Sequence, residues 1–161
     1  MGMTIAELLE LDREGELSTL TPVTDDVLKS IAAQYPGISK QYLAFIRAVG
    51  TGSTKTGSYI YEPEPASSVE QHQSFQIYNG VPYQKLYKWF SGKEPKRDRI
   101  PADAIMVADS AASWRYCLCP SLGDGVFCLD MAGPTFEIDS EDFFTFVARG
   151  LIYASEIEDD G

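Results

Sequence analysis

Among the side chains whose types could do chemistry are four aspartates of the second half, Asp103, Asp109, Asp124 and Asp130, and three cysteines, Cys117, Cys119 and Cys128. Two of the carboxylates brought together would supply the acid and base of a hydrolase. Acidic residues beside strand ends and turns are usually turn formers or solvated groups, however, and nothing in this spacing demands proton-transfer work. Cys117 and Cys119 stand two apart, which puts both on one face of a strand, and Cys128 on the following strand could lie near them across a hairpin. Three thiolates would make a metal site or a redox switch. Zinc wants a fourth ligand, and the single histidine, His72, is distant in sequence, so buried thiols acting as small hydrophobes are the expectation. An odd cysteine count also fits a reducing compartment.

The other catalytic signatures are missing. Gly123, Asp124 and Gly125 lack the alternating oxygen ligands of a calcium loop. There is no G-x-S-x-G elbow, no phosphate-cradling glycine loop and no H-E-x-x-H helix, and one histidine cannot serve as both base and ligand. The expectation is a protein without catalytic residues, cofactor or metal, with a hydrolase kept only as a remote alternative.

Charge points to binding instead. The chain has 13 Lys and Arg against 24 Asp and Glu, a net charge of −11. Residues 85–99 hold six basic and two acidic side chains, a local +4 that leaves −15 for the rest. Such a surface repels nucleic acid and anionic membranes and steers encounter with a basic partner. Within the basic stretch, Tyr83, Leu86, Tyr87 and Phe90 follow a helical period, so it reads as an amphipathic helix with solvated lysines followed by a basic loop, rather than as a nucleic-acid platform.

The elements that must position these groups are legible from their punctuation. Thr4 and Glu7 form a capping box for a first helix with Ile5, Leu8 and Leu9 as its apolar side, ending near Gly15. Thr24 caps a second helix that faces inward with Val27, Leu28, Ile31 and Tyr35, and Asp25 and Asp26 sit at its positive end. Pro36 and Gly37 stop that helix. Ser39 caps a third, Ile38 is placed to staple onto Leu43, and Tyr42, Leu43, Phe45, Ile46 and Val49 recur at helical spacing up to Gly50. Strands are expected at 58–62, 75–78, 105–107, 114–119, 126–129 and 136–138, with turns at Asn79-Gly80 and 123–125, a loop over 62–73 and short antiparallel connections. A last helix capped by Asp139 or Ser140 carries Phe143, Phe144, Val147 and Leu151, before an acidic tail at 156–161. These elements predict an α+β fold over 1–161: one domain, with a central, mainly antiparallel sheet of five to six strands, helices before it and one helix after it.

The set Pro36, Tyr42, Phe45 and Gly50, followed by Ile100-Pro101 and the strands that lead into an aromatic helix, resembles the SUKH superfamily, which includes the yeast cell-wall-assembly regulator and many bacterial immunity proteins. The resemblance spans 25–152. It implies a protein that binds and neutralises a cognate toxin domain, a basic nuclease among the candidates, or else a cytoplasmic adaptor of the same fold. The partner-binding residues expected on charge and strand alternation are Asp25, Asp26, Asp109, Asp124, Trp114 and Tyr116, the last two being either core or the centre of a binding face. No apolar run approaches the roughly 20 residues that span a bilayer, and the start lacks the pattern of a secretory signal, so the expected compartment is the cytoplasm, without membrane contact.

Overall fold

The computed structural model describes residues 3–65, 77–78, 81–82, 103–110, 114–130 and 135–152. The predicted helix and basic stretch over 83–99, His72, the Asn79-Gly80 turn, Ile100-Pro101 and the acidic tail lie outside these residues.

Three helices come first: α1 (Ile5–Leu11), α2 (Asp25–Gln34) and α3 (Lys40–Ala48). Each begins at the predicted cap, because one hydroxyl three residues back satisfies one of the backbone N–H groups that have no partner in the first turn. Thr4 accepts from Glu7 N at 3.2 Å, Thr24 from Val27 N at 3.3 Å and Ser39 from Tyr42 N at 3.2 Å. The buried face of α3 is the predicted one: Tyr42, Phe45 and Ile46 are inaccessible, and Ile38 and Leu43 join the same cluster. In α1 the apolar side differs. Leu9 is half exposed, while Leu8 is buried and Ile5 and Leu11 pack against the core beside it.

The strands are β1 (Gly52–Ser53), β2 (Tyr59–Pro65), β3 (Ile77–Tyr78), β4 (Val81–Pro82), β5 (Ile105–Asp109), β6 (Trp114–Leu118), β7 (Val126–Asp130) and β8 (Thr135–Ser140). Six of them form one sheet in the order β1-β2-β5-β6-β7-β8, antiparallel at every pairing, while among the described residues β3 and β4 pair with each other alone. The chain is therefore a single mixed α+β unit with a six-stranded antiparallel sheet, as its pattern predicts. From β5 to β8 the short connections leave no room for parallel crossovers.

Strands β1 and β4 are not among those expected, and other details also depart from expectation. β2 runs on through Pro63 and Pro65, where a loop is predicted. Among the described residues its second half has no neighbour on the β1 side, and although Pro65 stands opposite Ile105 of β5, the register there slips between Ile60 and Glu64, as suits an edge that carries proline. The β6–β7 connection is a 3-10 turn (Pro120–Leu122) closed by Gly123 at φ +106°, longer than a hairpin centred on 123–125. Helix α4 (Phe143–Phe146) is capped not by Asp139 or Ser140, which end β8, but by Asp142, whose Oδ1 accepts from Thr145 N at 2.8 Å. Gln41 on α3 accepts from Phe144 N at 2.9 Å, and the chain then closes in a π-helical turn (Val147–Ile152).

The helices share one face of the sheet. Ile60, Ile105, Val107, Leu118 and Val126 cluster with Tyr42, Phe45 and Phe143. Phe143 meets Tyr42 and Phe45 edge-on, with ring centroids 5.3 and 5.4 Å apart, an arrangement that adds to the area these rings bury. On the opposite face Met106, Cys117, Cys119 and Leu129 are buried beside Tyr61 and Phe127. The tyrosine hydroxyls link layers: Tyr42 donates to Tyr61 O at 2.7 Å and Tyr61 to Ala108 O at 3.2 Å.

Candidate functional site

The six residues expected to bind a partner do not form one patch. Asp25 and Asp26 are exposed on the first turn of α2, and Asp25 approaches Arg47 of α3 at 3.6 Å with both side chains largely in water, a pair worth little. Asp109 closes β5 opposite Arg115, at the sheet end where Trp114 opens β6. Asp124 is exposed in the β6–β7 connection, at the other end of the same strands, at least roughly 10 Å of β-strand away. Asp109 and Asp124 are thus two separate charges, because strand direction, invisible in their spacing, sends them to opposite ends.

The two aromatics also part company. Tyr116 turns into the helix-side core, its ring 4.6 Å from that of Phe146, and burial holds its phenol well above the usual range. Trp114, on the same side of the strand but at its open end, is 49% exposed. It is the residue of this pair left for a partner to cover.

The cysteines divide by face. Cys117 and Cys119 lie together on the second face, as their spacing predicts, whereas Cys128 pairs with Tyr116 and takes its side of the sheet. The hairpin therefore separates Cys128 from the other two instead of gathering all three. Burial raises the Cys117 thiol strongly, and burial followed by the Asp103 carboxylate pushes Cys119 up to about 12. Thiols so held are protonated and poor nucleophiles. Among the described residues, no three His, Cys, Asp or Glu side chains come together so as to hold a metal ion.

What the strands do assemble is a cavity of about 310 Å³ at the sheet end away from Trp114. Gln34, Tyr35 and Pro36 line it from the end of α2, Pro65 from the end of β2, Asp103, Ala104 and Ile105 from the entry to β5, and Pro120 from the turn after β6. Among the described residues Asp103 is its one charged side chain. Ser121 fixes that carboxylate, donating from its backbone N to Oδ2 at 2.7 Å and from its hydroxyl to Oδ1 at 2.8 Å. Tyr35 donates to Pro63 O at 3.4 Å and accepts from Gln34 Nε2 at 3.2 Å. Its phenol is raised first by burial and then by the Glu64 carboxylate, which adds a second negative group nearby. The fixed Asp103 carboxylate is a group suited to non-covalent capture of a cation.

Sequence reasoning named Asp103 among the carboxylates but missed this assembly, which joins residues more than 80 positions apart. It also missed Glu16. That side chain is 1% exposed, and its Oε1 accepts from Thr56 N at 2.9 Å and from Thr56 Oγ1 at 2.5 Å, while Oε2 has no protein partner.

No protein-family model, no curated protein and no solved structure matches this chain. Among the described residues, no helix is long and apolar enough to cross a membrane.

Proposed function

We propose that this protein is an immunity protein, which binds a cognate bacterial toxin domain in the cytoplasm and neutralises it by covering its active surface. The observation that carries the reading is the −11 charge borne on a folded α+β unit, with exposed acidic residues at Asp25, Asp26, Asp103 and Asp124 and an exposed Trp114. Such a surface attracts a basic protein from a distance, and a half-exposed tryptophan is the kind of side chain that anchors an interface once water is expelled. The SUKH-like order of Pro36, Tyr42, Phe45 and Gly50 supports the same reading. Inhibition by occlusion needs no catalytic residue, cofactor or nucleic-acid contact in the inhibitor. A basic nuclease is the toxin class whose charge fits best.

The test is co-expression with any toxin encoded by a neighbouring gene, followed by association kinetics of the purified pair. Growth is rescued, and association slows as salt rises, because screening shortens the reach of the acidic surface. Reversing Asp25 and Asp26 together, or Asp124 alone, slows association while leaving the fold unchanged. A protein that neither binds nor neutralises the neighbouring toxin refutes the proposal, as does turnover of a substrate without a partner.

A further inference from the structure

The cavity beneath the end of α2 has features that select its occupant. At about 310 Å³ it lies at the small end of the range for ligand pockets, enough for one long side chain rather than a cofactor. Its lining is about as polar as apolar, the apolar part coming chiefly from Pro36, Pro65 and Pro120, and among the described residues it holds one fixed carboxylate. Ser121 uses one acceptor site on each Asp103 oxygen. Both donors sit on one residue and fork onto the two oxygens, so the acceptor sites left on Asp103 point to opposite sides and each admits a single further donor. Glu64, near Tyr35, makes the surroundings more negative.

We infer that this cavity receives an arginine side chain of a basic partner protein, with the guanidinium against Asp103 and the aliphatic stem along the proline walls. A guanidinium can give one N–H to the free side of that carboxylate while its flat, weakly hydrated face lies against proline, which a lysine ammonium, compact and strongly hydrated, does less well. Placing that arginine on the toxin rests on the function proposed above; the preference of the cavity for arginine does not.

The probe is Nα-acetyl-L-arginine amide, titrated into the full 15N-labelled chain and read by NMR, with the citrulline amide as a neutral match and the lysine amide as a second cation. Arginine amide shifts the backbone signals of Tyr35, Asp103, Ala104, Ile105 and Ser121, lysine amide shifts them less, and citrulline amide leaves them in place. Asp103→Asn weakens the response about fivefold, the upper range for one exposed ion pair. Glu64→Gln, on an exposed strand position, weakens it by less and guards against a folding defect in the first variant. Absence of shifts at these residues, an equal response to citrulline, or an unchanged response in Asp103→Asn overturns the inference. In the toxin assay, weaker association of Asp103→Asn supports the arginine as the toxin's, and wild-type association overturns that placement. Failure of the wild-type protein to rescue growth refutes the immunity reading and leaves the arginine titration standing.

Discussion

Replacing Gly50 by alanine tests how tightly the end of α3 is locked to the segment before α2. Gly50 has φ +124°, and its N–H donates to Phe45 O at 3.1 Å to close the helix. Beside it Thr21 and Thr51 exchange backbone hydrogen bonds at 2.9 and 3.0 Å. That bridge brings the chain so close that a Cβ on Gly50 would overlap the Thr21 carbonyl and come within 2.5 Å of Pro22 N. These obstacles are backbone atoms and cannot swing away. Gly57 is the control, because its φ of +99° carries similar backbone strain while its Cβ would meet nothing within 4 Å. The strain alone costs about 1–2 kcal/mol at either position, and forcing an extra carbon into a packed site adds about 1–3 kcal/mol at Gly50 only. Gly50→Ala should therefore lose about 2–5 kcal/mol, a fall in Tm of roughly 5–15 °C for a chain of this size. Gly57→Ala should lose only the smaller share. Urea unfolding followed by circular dichroism measures both. Equal losses, or a smaller loss at Gly50, would show that the Thr21–Thr51 contact yields and that the reasoning is wrong.

Two further outcomes follow from buried groups. Glu16→Ala deprives Thr56 of the acceptor for both its N–H and its hydroxyl, and should cost about 2–4 kcal/mol. Glu16→Gln keeps one acceptor and should recover more than half of that in the same urea assay, and a loss below about 0.5 kcal/mol for the alanine would contradict the burial. The alkaline limb of stability should be steep, because burial raises Cys117 and Cys119 above the ordinary 9.0 and Tyr42, Tyr61 and Tyr116 above the ordinary 10.0. Groups raised in the fold contribute fully below their unfolded values and lose that contribution as pH climbs through the folded ones. Tm should stay level from about pH 7 to 8.5 and fall continuously from about pH 9 to 12, and a Tm that rises above pH 10 would reverse the sign.

The sequence by itself determined what is settled within a few residues of chain. The caps at Thr4, Thr24 and Ser39 reach three residues forward, and the stripe of Tyr42, Phe45 and Ile46 follows from the helical period alone. The antiparallel run from β5 to β8 followed from connections too short for anything else, whereas the direction of β2 against β5, joined through 66–104, did not. Tertiary structure decided whatever depends on which strand lies beside which, and in what register. The β2 prolines are tolerated because, among the described residues, no strand lies beside them on the β1 side, which the local sequence does not say. A register shift between Val126 and Phe127 in the β7–β8 pairing carries β8 on to Ser140 and moves the last cap to Asp142. Cross-strand pairing put Cys128 on the face opposite Cys117, and strand direction sent Asp109 and Asp124 to opposite ends. Tyr116 entered the core because Phe146 arrives from 30 residues later, while Trp114 stayed in water. Glu16 met Thr56 across 40 residues, and Asp103 joined Ser121, Tyr35 and Pro65 around one cavity. Such contacts form only once loops close and many groups order together, so their partners are chosen by the packing of the whole chain and leave no mark in any one segment.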